Sequence, residues 1–392
     1  MIAIFLAPLY ILVNIYLIWR FFRWLGLCHE KLKWKRVRIP TAIVYAFFAV
    51  SVLIGFLYPK SQSKRNLTLI GNYSLGILLH TLLVVPSAEI VLLLLKHSRK
   101  KSRKSALLLG GTGILLIAGM STWGMVNARI IHTINYTIHV AKEVPAMKSL
   151  QIVLIADLHM GYNIGSSHIR QMVANINTEH PDLVVIAGDI FDNEYDALKN
   201  PEELIFLLRG IHSRYGVYAC YGNHDINEKI LAGFTFGGKS SKKVSDIRMD
   251  EFLKKANIQL LQDDYVLIDD SFYLYGRPDY ERPGRGITTR KTPQELTSVM
   301  DLSKPVIVLD HEPRELQELA DAGVDVDLCG HTHDGQTFPG NLTTHLIWEN
   351  SAGYLKKGQM HNIVTSGAGV WGPNMRVGTD SEICSITVHF SS

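Results

Sequence analysis

The sequence predicts an N-terminal four-helix transmembrane region followed by an α/β domain, and three observations carry that prediction. Charge is divided between two halves: residues 1–150 hold 19 Lys and Arg against 3 acidic residues, whereas residues 151–392 hold 21 against 33. The formal +4 of the 392-residue chain therefore describes neither half. Four apolar runs near the roughly 20 residues that a spanning helix needs lie in the basic half. From Leu150 onward short apolar runs alternate with helically spaced stretches, the pattern of βαβ units. The expected boundaries are 1–126 for the membrane region, 127–148 for a connector and 149–392 for the α/β domain. This distribution argues against a nucleic-acid protein with a broad basic face.

The apolar runs fall at 2–19, 41–58, 69–95 and 106–126. The first lacks a basic leader and a small-residue cleavage site and is followed by further spans, so it reads as an anchor. The third is interrupted by His80, Pro86 and Glu89. Basic residues crowd the first connection (Arg20 to Arg38) and the third (Lys96 to Lys104), while the second has only Lys60, Lys64 and Arg65. Positively charged connections stay cytoplasmic. The chain is accordingly expected to be a multi-pass protein of the cell membrane, in contact with anionic lipid, with its α/β domain on the extracytoplasmic side. Glu89 reads as a carboxylate packed between helices or reaching the interface, with a functional intramembrane acid as the rival reading.

In the second half, 134–140 alternates like a strand leaving the membrane. The run 151–156 suits a strand buried on both faces and ends in Asp157-Leu158-His159. A helix is expected at 166–178, from the spacing of Ile169, Met172, Val173 and Ile176. The next strand, 183–187, ends in Gly188-Asp189-Ile190-Phe191-Asp192, and after a helix over 201–209 the strand 217–221 ends in Gly222-Asn223-His224-Asp225. Further on, 306–309 ends in Asp310-His311-Glu312-Pro313 and 324–328 ends in Cys329-Gly330-His331-Thr332-His333-Asp334. Ligands gather at the carboxyl ends of strands in such sheets. Five strands that each end in carboxylate, amide or imidazole groups define one chemical edge. The pair His331 and His333, two residues apart, can share one face as the strand ends and suggests a metal. The four cysteines are widely spaced without a Cys-x-x-Cys, so thiolate ligation is not expected.

In order and spacing, the endings Asp157-x-His159, Gly188-Asp189-x-x-Asp192, Gly222-Asn223-His224-Asp225, His311 and Gly330-His331-x-His333 resemble those of the calcineurin-like metallophosphoesterases. The resemblance covers about residues 148–390. Gly335-Gln336-x-x-Pro339, Gly367-x-Gly369 and Arg376 look like the membrane-linked and exported bacterial branch, and the chain as a whole has a general likeness to transmembrane metallophosphoesterases. The resemblance implies a calcineurin-like phosphoesterase fold, a two-sheet β-sandwich flanked by helices. It also implies two divalent metal ions. Asp157, His159 and His333 would hold one, Asn223, His311 and His331 the other, and Asp189 would bridge both. His224 would act beside the phosphate as general acid or charge stabiliser, with Asp225 orienting it and Asp192 either supporting the site or satisfied by backbone amides at its strand end.

Oxygen and imidazole donors fit Mn, Fe or Zn. Two such ions can activate water and hold phosphoryl oxygens during hydrolysis of a phosphomonoester, phosphodiester or pyrophosphate. All seven expected ligands are present, which speaks against a degenerate enzyme. The competing readings are a membrane scaffold or sensor with a structural metal site, and a nuclease. The second is disfavoured by the acidic domain and the lack of an aromatic-basic stacking platform, so no nucleic-acid partner is expected. His168, His180, His212, His345 and His361 occupy no motif position and are expected to be structural. Arg376 suits either a substrate phosphate or a surface ion pair. The glycine-flanked Phe-Thr-Phe at 233–243, followed by lysines, reads as a loop over the site suited to a lipid phosphate or pyrophosphate.

Overall fold

The computed structural model describes residues 2–58, 61–97, 102–145, 147–227, 230–231, 234–235 and 245–391. The chain divides into two compact units. The first comprises Met1–Val126 with the segments Lys229–Ser240 and Gly372–Met375, and the second comprises the remainder.

Four long helices make up most of the first unit: α1 (Ile2–Cys28), α2 (Lys35–Leu57), α3 (Gln62–His97) and α4 (Arg103–Asn127), the last residue of which belongs to the second unit. Each is long and apolar enough to cross a membrane. A helix satisfies its own backbone hydrogen bonds, which hydrocarbon cannot do for it. The third run is one uninterrupted helix of 36 residues despite Pro86, and it takes in Lys64 and Arg65, expected in the second connection. Two of its polar side chains meet neighbouring helices. Glu89 forms an ion pair with Arg20 of α1, in agreement with a carboxylate packed between helices. His80 is fully buried and its Nδ1 lies 2.9 Å from Ser121 Oγ on α4. Tyr45 donates to Asn14 Oδ1 at 2.8 Å between α2 and α1.

The second unit is built in four layers. Its elements run β1 (Ile131–Glu143), β2 (Ser149–Ile155), α5 (Ser166–Thr178), β3 (Leu183–Ala187), α6 (Pro201–Leu208) and β4 (Val217–Cys220). A small hairpin, β5 (Ile230–Leu231) and β6 (Phe234–Thr235), belongs with the first unit. Then come α7 (Ile247–Lys255), β7 (Ile258–Leu260), β8 (Asp264–Ile268), β9 (Phe272–Gly276), α8 (Pro293–Thr297), β10 (Val306–Leu309) and α9 (Leu316–Asp321). The chain closes with β11 (Val326–Cys329), α10 (Gly340–Ile347), β12 (Gly353–Lys357), β13 (Met360–Val364) and β14 (Ser381–Ser391).

Two six-stranded sheets have the orders β1-β14-β2-β3-β4-β7 and β12-β13-β11-β10-β9-β8. Their inner faces share one core, to which Leu154 and Val185 of the first sheet and Leu309 and Leu328 of the second contribute. The outer face of the first sheet packs under α5, α6 and α7, and that of the second under α8 and α9. This is the expected two-sheet sandwich flanked by helices. Strands covered on both faces explain the unbroken apolar runs: all residues of β3, β4, β10 and β11 are buried. Residues 127–148, expected as a connector with strand-like alternation, contribute the edge strand β1, which runs parallel to β14 from Ile131 to Glu143. Most of the loop at 233–243 lies outside the described residues.

Candidate metal centre

β2, β3 and β4 run parallel in one sheet, and β10 and β11 run parallel in the other. All five sequence-identified endings therefore emerge at one end of the sandwich. Hydrogen bonds lock the two sheets together there. Asp157, after β2, accepts the backbone N–H of His331, after β11, at 2.9 Å. His311, after β10, has its Nδ1 2.8 Å from the carbonyl of Ala187 in β3. A carbonyl only accepts, so Nδ1 carries a proton and Nε2 is the nitrogen left to face the site. Against burial, Asp189 and Asp157 raise the His311 pKa well above its ordinary value, so an ion at Nε2 would displace a proton there.

The turns that aim these side chains are strained. Asp157, His159, Asp189, His331 and His333 all have φ between 45° and 74°. Left-handed backbone at a non-glycine residue costs about 1–3 kcal/mol, and such residues persist where surrounding structure over-determines them. Gly222 serves a different need. A Cβ there would fall 2.3 Å from Asp189 Oδ1, so the turn before Asn223 passes too close to that carboxylate for any side chain.

Three groups of possible metal donors result; one, of His159, Asp189 and His224, overlaps the other two, and those two match the expected sets. Asp157, His159 and His333 form one, and Asp189, His311 and His331 form the other, the donor atoms of each set lying within 4.8 Å of one another. In the first, His159 Nε2 is 3.0 Å from His333 Nε2, which is 3.4 Å from Asp157 Oδ1. In the second, Asn223 Oδ1 lies 3.1 Å from His311 Nε2 and 3.0 Å from His331 Nδ1. Asp189 Oδ2 faces both sets, 3.6 Å from His159 Nε2 and 3.3 Å from His311 Nε2, while its Oδ1 accepts the His224 N–H at 2.7 Å. All seven sequence-predicted ligand positions are thus brought together. Lone pairs of two imidazoles cannot face each other at 3.0 Å without a proton or a cation between them. With buried carboxylates alongside, the donor set fits divalent ions.

The electrostatics agree with that fit. Burial opposes the charge of Asp189, but His311, His224 and His159 outweigh it and hold the carboxyl well below the usual carboxylate range. Burial pushes Asp157 up to about 6, against the pull of His311. Burial and the neighbouring charge of His311 bring His331 down to about 3, and burial with His159 and Arg376 holds His333 well below its ordinary value. Both are therefore kept neutral, the form that binds a metal.

His224 is buried beside the first set, its ring 4.8 Å from that of His159 and edge-on to it. Burial works against its protonation, yet the charges of Asp189 and Asp192 raise its pKa, so it holds a proton more firmly than a free histidine. The carboxylate facing its Nδ1 is Asp192 Oδ1, at 3.6 Å; the same oxygen lies 3.5 Å from Nδ1 of His159. Asp225, expected to orient His224, points elsewhere. Its Oδ2 accepts Gly222 N–H at 2.8 Å and its Oδ1 accepts Phe191 N–H at 2.9 Å, tying β4's turn to β3's. The turn that follows β4 folds the Asp225 carboxylate back onto those amides, and adjacency in sequence to His224 does not bring contact in space.

Arg376 also departs from both readings of its sequence position. It is fully buried. Its guanidinium donates to the carbonyls of Ser366 (2.6 Å), Gly369 (2.8 Å) and Gly367 (3.1 Å) and to Thr379 Oγ1 (2.8 Å), and its Nη2 lies 3.2 Å from His333 Nδ1. It ties the 366–369 turn to His333 instead of meeting a substrate or a surface acid. Two aromatic neighbours carried no sequence signal: Trp371, its ring 6.3 Å from His224 and 6.4 Å from His333, and Trp348, its ring 5.3 Å from and edge-on to His331. The five other histidines stay outside the donor sets. His168, for example, lies against Ala368 O at 2.7 Å and is brought down to about 4 by burial.

A family model described as calcineurin-like phosphoesterase matches residues 150–335. A zebrafish (Danio rerio) protein named transmembrane protein with metallophosphoesterase domain is 27% identical over 74% of this chain and 66% of its own length. A Helicobacter pylori metallophosphoesterase is 30% identical over 73% of this chain and 71% of its own. A more distant Chlamydia trachomatis relative, 22% identical over 57% of this chain and 76% of its own, is named UDP-2,3-diacylglucosamine pyrophosphatase LpxG. The chain spans just under two thirds of the zebrafish protein.

Proposed function

The chain belongs to the calcineurin-like phosphoesterases, a metal-dependent family of hydrolases, and on that premise we propose that it uses two divalent ions to cleave a phosphomonoester, phosphodiester or pyrophosphate at the membrane surface. The observation that carries this reading is the pair of donor sets sharing one oxygen of Asp189. Asp157, His159 and His333 hold one ion, Asn223, His311 and His331 the other. Mn, Fe or Zn suits such donors. When bound, the ions supply positive charge for the phosphoryl oxygens and lower the pKa of water.

The chain's own residues do the rest. His224, whose hold on a proton Asp189 and Asp192 strengthen against the effect of burial, is placed to give that proton to the leaving oxygen. Asp192 Oδ1, 3.6 Å from Nδ1 of His224 and 3.5 Å from Nδ1 of His159, sets its negative charge beside the acid and one ligand alike. Trp371 walls the site beside both His224 and His333 and limits water on that side. The basic first and third connections support an extracytoplasmic placement of this domain. The pyrophosphatase name of the Chlamydia relative favours a lipid- or envelope-linked substrate within the class.

The test uses the full chain in detergent with Mn²⁺ and bis-p-nitrophenyl and p-nitrophenyl phosphates. Wild type turns over at least one of them. His224→Ala retains its metal and loses about 10²-fold or more in turnover, the usual worth of a positioned acid. Metal-loaded wild type that is inactive on both substrates and on a lipid pyrophosphate would support the scaffold instead.

A further inference from the structure

Helix α10 follows His333 by a few residues and ends at Trp348, whose ring packs on His331. Not one of its eight residues is buried. Leu342, Leu346 and Ile347 are 55%, 86% and 75% exposed, and Phe338 just ahead of the helix is also exposed. From Gly335 to Trp348 the chain contains no Asp, Glu, Lys or Arg. A helix bathed in water ordinarily shows a charged outer face, and contiguous exposed apolar side chains mark a surface that something covers. Leu342 and Leu346, four residues apart, lie on one helical face.

What covers it is indicated by the chain on which the helix is rooted. Phe338 N–H donates to Val377 O at 2.7 Å, and Val377 N–H to Gln336 O at 3.1 Å. Val377 comes two residues after Gly372–Met375, the segment that belongs with the four long helices. Within that unit Met375 lies against α3 at Gly76, where a Cβ would fall 2.3 Å from the methionine's Cε. The same chain carries four candidate membrane spans, so a bilayer is a surface that every copy already holds. Exposed leucine and isoleucine beside a tryptophan are the side chains that an interfacial element buries at the headgroup boundary.

We infer that α10 docks its Leu342, Leu346 and Ile347 face into the bilayer surface, so that the metal centre between His333 and Trp348 takes phosphate groups carried on membrane lipids. The lipid-substrate part rests on the phosphoesterase reading above; the docking part stands apart from it.

The docking is tested on the full chain in phospholipid nanodiscs, with Cys28→Ser as background and a nitroxide attached at Leu346→Cys. A second label at Gln171→Cys, exposed on α5, is the reference. Docking predicts that the label at 346 collides with dissolved oxygen in preference to a water-soluble nickel chelate, with the preference reversed at 171. Equal behaviour at the two sites overturns the proposal, and so does dipolar broadening at 346 between two copies, which would make α10 a dimer face. For the substrate part, the triple variant Leu342→Ser, Leu346→Ser, Ile347→Ser is assayed on phosphatidic acid in nanodiscs and on bis-p-nitrophenyl phosphate. The ratio of the two turnovers should fall at least tenfold relative to wild type, and an unchanged ratio sinks lipid access through α10. Wild type that hydrolyses neither of these, nor p-nitrophenyl phosphate, nor a lipid pyrophosphate, fails the phosphoesterase reading and the lipid-access part with it, while the label collisions still decide the docking.

Discussion

Replacing Arg376 with Met should loosen the metal centre without touching a ligand. The methionine fills much of the space but donates nothing. Among the described hydrogen bonds, the carbonyls of Ser366 and Gly369 have Arg376 as their one donor, whereas Gly367 O keeps Glu382 N–H and His333 O keeps Gln336 N–H. Each buried acceptor left unpaired costs about 1–3 kcal/mol, so two cost about 2–6 kcal/mol. Against this stands the relief of removing a buried cation, whose desolvation is strong enough to bring the Arg376 guanidinium down to about 10. A net loss of about 3 kcal/mol follows. The loss should be local first, because the same turn donates Ala368 N–H to Ala156 O and Gly369 N–H to Asp157 O, both at 2.9 Å. Amide hydrogen exchange in the full chain is the assay. At about 1.4 kcal/mol per decade, the protection of Ala368 and Gly369 should fall about 100-fold. Arg376→Lys keeps the charge but not the fork and should fall between. Protection within about threefold of wild type in Arg376→Met would refute the tie, since a lost pair of buried hydrogen bonds is worth more than that.

Other outcomes follow from the same geometry. Asp279 is fully buried, and burial together with Glu312 pushes its carboxyl up to about 8, so the folded state keeps a proton that the unfolded chain releases near 4. Its contribution is present in full below the unfolded pKa and is lost as pH rises through about 8; relative to Asp279→Asn, wild type should lose about 1.4 kcal/mol of stability per pH unit between pH 5 and 7. Parallel denaturation curves for the two proteins across that range would contradict the raised pKa. His333→Ala should release the ion held with Asp157 and His159 first, leaving about one metal per chain by elemental analysis; loss of both would mean the sets are too tightly coupled through Asp189 to empty singly. Gly222→Ala should cost metal affinity, measured by competition with a chelator, because its Cβ would displace Asp189 Oδ1; unchanged affinity would show that the turn gives way elsewhere. Ser303→Cys in a Cys28→Ser background should react with an impermeant maleimide in intact cells, and protection there would reverse the outward assignment.

What the sequence could say about the site depended on how each residue reaches it. The seven ligand positions were legible because each follows its strand at once, and a parallel strand buried on both faces has a fixed end to deliver them to. Their division into two sets sharing Asp189 came from the family resemblance, and in the structure Asp189 Oδ2 lies 3.6 Å from His159 Nε2 and 3.3 Å from His311 Nε2. Partners that arrive through turns were harder to read. Asp225 adjoins His224 in sequence, and the turn consumes its carboxylate on the amides of Gly222 and Phe191, while Asp192, from the neighbouring strand, faces both His159 and His224. Arg376 suited either a substrate phosphate or a surface ion pair because sequence alone does not report burial, and only the meeting of the 366–369 turn with the chain after β11 gives a guanidinium enough carbonyls to be buried whole. The alternation in 134–140 was visible, but an edge strand pairs with whatever lies beside it, and its partner β14 is more than 200 residues away. Helix α10 shows the limit from the other direction. Its apolar residues have the composition of a core element, and their exposure can be seen only once the sandwich is complete and leaves them outside it.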